Sequence, residues 1–280
     1  MTANFDPREG LAGRLSHHAL WGTAKPVVGM VHLLPLPGSP RWSGSMEEVL
    51  DRALGEAGIL EEEGLNGILV ENYRDAPYFP GAVPAETVAA MAVVVREVVR
   101  VAAIPVGVNL LRNDASAALA VAAAAGASFV RVNVHTGAMF TDQGLLEGRA
   151  HDTLRLRRSL GTPVAILADV LVKHGTPPPG TTLEETARDA WHRGLADGLI
   201  VTGAETGAPV ETPDILRLRD AVPEGIVWVG SGVTPETAPD LLEAAHGLIV
   251  GSALQAGGGA GGGVERERVR ALMSALGMGG

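Results

Sequence analysis

The chain has 280 residues, which suits one large α/β barrel or two small domains. Its hydrophobic fraction of 46% beside 19% charged residues is typical of a globular protein and excludes a disordered one. A net charge of −10 argues against a nucleic-acid partner. The absence of cysteine excludes disulfides, thiolate nucleophiles and Cys-ligated zinc, and it is consistent with a reducing cytoplasm.

The sequence predicts neither a targeting segment nor an integral membrane segment. The N-terminus lacks a basic region followed by an apolar core, and Pro7, Arg8 and Glu9 interrupt it early. The longest uncharged run, Ala115 to Val130, is alanine-rich and too short to cross a bilayer. We therefore expect a cytoplasmic protein.

Residues 1–24 form an irregular lead-in, with a short helix expected near Leu11–Leu20, and residues 25–280 form the main domain. Short apolar strands then begin at eight positions: Val27, Ile68, Ile104, Phe129, Val164, Leu199, Ile226 and Leu248. Stretches with helical periodicity lie between and after them: Gly44–Glu63, Pro84–Val101, Asp114–Ala125, His151–Leu160, Leu183–Arg193, Thr212–Ala221, Pro235–Ala244 and Val264–Leu276.

This alternation predicts a parallel sheet covered by helices on its outer side. Eight strand–helix units in about 250 residues are typical of a single (β/α)8 TIM barrel. The alternative, an open doubly wound sheet, favours a G-x-G-x-x-G turn after the first strand. That strand runs instead into His32-Leu33-Leu34-Pro35-Leu36-Pro37-Gly38, so the barrel is preferred.

Two connections are unusual. Thr136–Ala150 is long enough to act as a lid over the C-terminal ends of the strands. Gly257–Gly263 is almost entirely glycine, and we expect it to be mobile because ordering glycine costs much backbone entropy.

A phosphate site is predicted at the last two strands. The seventh strand ends at Gly230-Ser231-Gly232 and the eighth at Gly251-Ser252. Such turns leave backbone N–H groups unpaired and let an anion approach the main chain. TIM barrels commonly bind phosphate after strands 7 and 8.

The remaining polar residues at the C-terminal ends of strands are candidate site residues, because function gathers on that face of a barrel. Those predicted to bind substrate are Glu71, Asn72, Asp75, Asn109, Arg112, Arg131, Asn133, Asp142, Gln143, Thr202 and Glu205. Asn109 and Asn133 fall within the strands and are expected to point into the site. Asn113 and Asp114 precede a helix, and we expect them to cap it.

Lysine is rare in this chain, with two residues against twenty arginines. Lys25 is predicted to be a solvated charge on the opposite face, whereas Lys173 lies just beyond the fifth strand beside His174. Arginine cannot replace a lysine whose amine must lose its proton. We predict Lys173, Asp169, His174 and His32 to be the acid/base groups.

Two other chemistries are weaker alternatives. His32, Asp169 and His174 could hold a divalent metal ion, since imidazole and carboxylate suit several of them. No H-x-x-x-H or H-E-x-x-H spacing supports a metal, so no cofactor is predicted. A serine triad lacks the G-x-S-x-G elbow.

Several motifs resemble the BtpA/SgcQ family. They are Val28–Pro40, Gly107–Asp114, Phe129–Val134, Thr141–Gly144 and Asp169–His174. The resemblance implies a barrel akin to the ribulose-phosphate-binding group. It links BtpA-type members to photosystem I accumulation at the thylakoid and SgcQ-type members to carbohydrate uptake. The sequence departs from the family after the eighth strand, where Gln255 and Gly257–Gly263 replace a lysine and a less glycine-rich segment.

Two functions from different classes follow. The first is an enzyme acting on a phosphorylated small molecule, a sugar phosphate or phosphoribosyl compound, as an isomerase, epimerase, lyase or phosphoribosyl-handling enzyme. The second is a non-catalytic assembly or stability factor for photosystem I. A binding module would need an exposed apolar patch or a basic membrane-facing helix, so the sequence favours the enzyme. We also expect a homo-oligomer.

Overall fold

A computed structural model describes residues 16–203 and 210–278. In this part of the chain, eight parallel strands close into a barrel in the order β1-β11-β10-β9-β7-β4-β3-β2. The barrel strands are β1 (Val27–His32), β2 (Gly67–Glu71), β3 (Val106–Asn109), β4 (Phe129–Val132), β7 (Ala165–Val170), β9 (Gly198–Val201), β10 (Val227–Val229) and β11 (Gly247–Val250). Each begins within two residues of its predicted start, which confirms the TIM barrel.

A short helix, α1 (His17–Trp21), packs against the N-terminal end of the barrel. The helices that cover the outside are α2 (Met46–Glu62), α3 (Ala85–Val101), α4 (Ala115–Ala125), α5 (Ala150–Leu160), α6 (Leu183–Arg188), α7 (Thr212–Ala221), α8 (Ala238–Ala244) and α9 (Arg266–Ala275). A π-helical turn, Asp189–Arg193, continues α6. None of the helices within the described ranges is long and apolar enough to cross a membrane.

Three aromatic rings pack among aliphatic side chains in the N-terminal half of the barrel interior. Trp21 of α1 contacts Phe129 and Trp228, with ring centroids 4.9 and 5.0 Å away. Glycines make room for these rings: a side-chain carbon at Gly107 would lie 2.2 Å from Phe129, and one at Gly247 would lie 2.5 Å from Trp228. The described part of the lead-in, residues 16–24, thus packs against the barrel floor, and the polar face at the other end stays open.

Two residues at the start of α4 behave differently. Asp114 caps the helix as predicted, because its carboxylate accepts a hydrogen bond from the Ala117 N–H at 2.9 Å. The capping prediction is wrong for Asn113. Its amide accepts from the Val134 N–H and donates to the Val134 carbonyl oxygen, so it holds the chain leaving β4.

The lid segment contains a β-hairpin that the sequence analysis did not predict. Strands β5 (Ala138–Thr141) and β6 (Gly144–Glu147) pair antiparallel, and β5 also pairs with β8 (Gly175–Thr176). The hairpin and β8 therefore form a small three-stranded sheet on the C-terminal face. Whether it closes over a ligand stays a prediction.

The glycine-rich segment has defined contacts where mobility was expected. The Gly261 carbonyl oxygen accepts hydrogen bonds from the guanidinium groups of Arg52 and Arg74. A β-bridge joins Gln255 to Val264 at the ends of the segment. These partners could not be predicted from the local sequence, because the two arginines lie 209 and 187 residues before Gly261.

The prediction for Lys25 is also wrong. Its ammonium group donates to the carbonyl oxygens of Leu242 and Glu243 near the C-terminus of α8. A cation placed there satisfies terminal carbonyls and complements the helix dipole. Lys25 is therefore a structural cap rather than a solvated charge.

Candidate functional site

The strand register brings four polar side chains to one level of the barrel. His32 pairs with Glu71 across β1 and β2, Glu71 with Asn109, and Asn109 with Arg131. All four residues are at most 5% exposed. Side chains alternate along each strand, so the apolar residue Phe129 and the polar residue Arg131 both point inward, one below the other.

The predicted phosphate turns line one cavity. This anion cavity, about 370 Å³, includes Gly230, Ser231, Gly232, Gly251 and Ser252. Gly232 has φ +68°, a conformation that favours glycine. The backbone N–H groups of Gly232 and Ser252 donate no hydrogen bond to any residue that the structure describes. They are available to an anion.

A second cavity of about 310 Å³ adjoins the anion cavity. Tyr73 and Lys173 line both, so the two cavities form one continuous site. The other residues around the second cavity are Glu71, Tyr78, Leu111, Arg112, Arg131, Asn133, Asp142 and His174. Asp142, at the tip of the β5–β6 hairpin, thus lines the second cavity, and its role in binding stays a prediction. His174 is exposed and sits at the rim with φ +58°.

Lys173 lies where the two cavities meet. Burial lowers the pKa of its ammonium group, and the charge of nearby Arg131 lowers the pKa further. The carboxylates of Glu71 and Asp169 act in the opposite direction. Arg112 holds the backbone at this point by donating to the Lys173 carbonyl oxygen at 2.7 Å. A lysine with a lowered pKa is more easily deprotonated and can act as a base or nucleophile.

Asp169 is occupied by neighbours other than Lys173. Its carboxylate accepts hydrogen bonds from Arg131 Nε at 3.0 Å and from Asn133 Nδ2 at 2.7 Å, and its side chain has no exposed surface. It lines a third cavity, beneath the hairpin, rather than the second. The arrangement suits a residue that orients Arg131 and Asn133.

His32 connects the barrel to the glycine-rich segment. Its ring stacks on Tyr73 with centroids 4.5 Å apart, and its Nε2 lies 3.6 Å from Glu71 Oε1. Its Nδ1 faces the amide of Gln255, which is completely buried. Burial lowers the pKa of His32, while the Glu71 carboxylate opposes that shift.

Other predicted residues lie outside both cavities. Asn72 and Asp75 shape the loop after β2: the Asn72 amide accepts from the Leu111 N–H, and Asp75 accepts from Asn72 and from the Leu36 N–H. Asn109 lies beneath the second cavity and donates to Glu71. The remaining two are Thr202, behind Gly230, and Gln143, which donates to Asp142. Glu205 lies outside the described residues.

The described residues contain no ligand set for the alternative metal site at His32, Asp169 and His174. Within residues 16–203 and 210–278, no three His, Asp or Glu side chains come together in a way that could hold a metal ion. His32 faces Gln255 and Glu71, and Asp169 faces Arg131 and Asn133.

Several residues that line the two cavities, Glu236 among them, were not predicted, and three of the others are polar side chains with large surfaces. Tyr73 and Tyr78 are the chain's two tyrosines, and both follow β2. The occurrence of both in one loop was a compositional signal that the sequence offered. The third is Arg268 of α9, which lines the anion cavity and forms an ion pair with Glu265 at 2.6 Å. Nothing in the local sequence separates Arg268 from the neighbouring surface arginines.

Solved structures share this architecture at low sequence identity. A structure described as native KDPGal aligns with a TM-score of 0.57 and 16% identity, covering 91% of this chain and 96% of that one. N-(5'-phosphoribosyl)anthranilate isomerase from Pyrococcus furiosus aligns with a TM-score of 0.54 and 15% identity, covering 90% of this chain and 98% of the isomerase. At such identities the likeness shows the barrel fold alone.

Sequence relatives are much closer. The photosystem I biogenesis protein BtpA of Synechocystis is 46% identical over 254 residues, which are 91% of this chain and 88% of that protein. The profile of the BtpA family matches residues 23–277. This range includes every barrel strand and both cavities described above. The chain therefore belongs to the BtpA family.

Proposed function

We propose that this chain is an enzyme that acts on a phosphorylated small molecule, a sugar phosphate or a phosphoribosyl compound, by acid/base chemistry. The observation that carries the proposal is the junction of the two cavities. The anion cavity has the free backbone N–H groups of Gly232 and Ser252 and one exposed carboxylate, Glu236, whereas Glu71, Asp142 and two arginines surround the second cavity. A ligand with a phosphate at one end would therefore place its reacting end beside Lys173.

The roles follow from the contacts. Lys173, with its lowered pKa, is the proton carrier or nucleophile. Arg112 and Arg131 provide positive charge for an anion that develops during the reaction, and Arg131 is held in place by Asp169. Asp142 brings the hairpin to the ligand. The named isomerase among the structural relatives acts on a phosphoribosyl compound, which is consistent with this assignment.

The alternative is a non-catalytic role in photosystem I biogenesis. Its support is the name of the Synechocystis relative. The site favours catalysis instead, because a partly buried lysine and buried charged groups cost stability that a purely structural protein would have no reason to retain.

Phosphate binding tests the proposal directly. Inorganic phosphate and a panel of sugar phosphates would be titrated against the protein by calorimetry. Gly232→Asp and Gly251→Asp should abolish binding, because the carboxylate repels the anion and a side chain at Gly251 would meet His32 at 3.3 Å. Gly55→Asp is the matched control, since Gly55 lies on α2 with open space around it.

Normal binding by both site variants would overturn the phosphate assignment. Phosphorylated ligands that bind would then be incubated with the protein and the products identified by mass spectrometry. Ligands that bind tightly yet are never converted would favour the non-catalytic role.

A further inference from the structure

Two hydrogen-bond donors converge on one ring nitrogen of His32. Its Nδ1 lies 2.7 Å from the side-chain amide nitrogen of Gln255 and 3.2 Å from the backbone nitrogen of Gly261. The orientation of the Gln255 amide decides where the imidazole proton can sit, because an amide offers a donor on one side and an acceptor on the other.

The backbone of Gly261 determines that orientation. Its N–H also donates to Gln255 Oε1. A backbone N–H can only donate, so the amide oxygen must face Gly261 and the NH₂ group must face His32. Gln255 is 0% exposed, so a reversed amide would leave buried donors opposed to each other with no water to satisfy them.

A ring nitrogen that accepts from two donors carries no proton. A neutral imidazole has one N–H, which must then be on Nε2. The Nε2 atom is close to the Gly251 turn, where a side-chain carbon would lie 3.6 Å from it, and 3.6 Å from Glu71 Oε1. The ring lines the anion cavity and stacks on Tyr73, which borders both cavities.

We propose that Gln255 and Gly261 are positioning residues that lock His32 as the neutral Nε2–H tautomer. His32 then donates a hydrogen bond to the ligand and does not act as a base. The matching ligand is a phosphorylated compound with an acceptor oxygen, a carbonyl or hydroxyl, between its phosphate and the part in the second cavity. This ligand class rests on the proposed function, whereas the tautomer does not.

Nuclear magnetic resonance reads the tautomer without any ligand. Long-range ¹H–¹⁵N correlation spectra of the full-length labelled protein distinguish Nε2–H, Nδ1–H and doubly protonated rings. The His32 signals are assigned by their loss in His32→Gln. The expected spectrum at pH 7.5 shows a neutral ring protonated on Nε2. A ring protonated on Nδ1, or on both nitrogens, would overturn the proposal.

Gln255→Glu tests the positioning role. A carboxylate can still accept from Gly261 but cannot donate to Nδ1, so His32 should gain a proton on Nδ1. Gln143→Glu, the same change at the chain's other glutamine, should leave the tautomer unchanged. An Nε2–H tautomer that persists in folded Gln255→Glu would contradict the role of Gln255. Should that variant not fold, the wild-type spectrum alone decides.

A phosphate titration separates this inference from the proposed function. Inorganic phosphate should shift the His32 Nε2 signal in the wild type but not in Gly232→Asp. If His32 is protonated on Nε2 but its Nε2 signal does not shift when phosphate is added, the anion site and the ligand class are contradicted. An Nδ1–H ring in a protein that binds phosphate would count against the tautomer lock and leave the anion site in place.

Discussion

Among single residues, Lys173 and Asp169 show how differently neighbouring charged groups are held. Lys173 borders two cavities and has a lowered pKa, because burial and the charge of Arg131 both disfavour the ammonium form. The Asp169 side chain is fully buried and accepts hydrogen bonds from Arg131 and Asn133. Lys173 is therefore suited to proton transfer, whereas Asp169 is suited to holding Arg131 in place.

For Lys173, we expect Lys173→Arg to remove most activity on the converted ligand while the protein stays folded. Arginine keeps the charge but cannot lose its proton, and loss of one general acid or base typically costs about 10²–10⁴-fold in rate. Turnover and melting temperature would be measured together. Lys25→Arg is the control, because that side chain caps α8 on the opposite face. Near-normal turnover of Lys173→Arg would make Lys173 an ordinary loop charge.

Asp169→Asn is expected to lower the free energy of unfolding. It leaves the buried Arg131 guanidinium without its carboxylate, and breaking a buried pair costs about 3–5 kcal/mol. Urea unfolding would measure the loss. Asp152→Asn, at an exposed pair with Arg149, should change stability little. Equal unfolding free energies for Asp169→Asn and wild type would show that the ion pair does not support Arg131.

Two elements on the C-terminal face differ most from the sequence predictions. The segment 136–150 is a hairpin paired to β8, and the glycine-rich segment is held by Arg52 and Arg74. β5 and β6 pair within their own segment, but β8 and the two arginines come from elsewhere in the chain. The hairpin contributes Asp142 to the wall of the second cavity, and the glycine-rich segment supports His32.

The hairpin should become more protected when ligand binds. Asp142 at its tip lines the second cavity, so a bound ligand would give the tip a contact that restrains it. Hydrogen exchange of residues 138–147 would be followed with and without a phosphorylated ligand found by calorimetry. The exposed helix α5 provides an internal reference. Identical exchange of the hairpin in both states would rule out a lid.

Gly261→Ala should destabilise the protein by about 1–3 kcal/mol, the usual cost of a left-handed conformation in a non-glycine residue. Gly261 has φ +86°, and a side-chain carbon there would lie 3.1 Å from Arg74 Nε. Gly259→Ala should be neutral or slightly stabilising, because Gly259 has φ −111° and open space around it. Unfolding free energies of the two variants would be compared. A harmless Gly261→Ala would mean that the segment tolerates another conformation.

At the scale of the whole molecule, the barrel has an apolar floor and a polar mouth. The floor depends on the lead-in as well as on the strands, because Trp21 packs on Phe129 and Trp228. Trp21→Ala should therefore lower the stability of the entire barrel by about 3–5 kcal/mol, the usual cost of a buried tryptophan. Thermal unfolding would show one transition at lower temperature. An unchanged transition would separate the lead-in from the barrel core.

The sequence by itself determined the fold, and it predicted the face of the barrel on which the candidate site lies. Eight apolar runs alternating with helical stretches predict the strands to within two residues, because buried parallel strands and amphipathic helices leave distinct periodicities. The turns at Gly230–Gly232 and Gly251–Ser252 also lie together as predicted, since parallel strands place their C-terminal ends on one face.

Only the tertiary structure decided which polar residues face a cavity and which hold the site together. Glu71, Asp75 and Asp169 are all carboxylates at or just after the end of a strand, and the sequence does not distinguish their roles. In the structure Asp75 shapes a loop, Asp169 pairs with Arg131, and Glu71 lines the second cavity. The Gln255 contact with His32 spans 223 residues. Hydrogen-bond partners depend on distances between atoms of different elements, and a local sequence pattern carries no record of those distances.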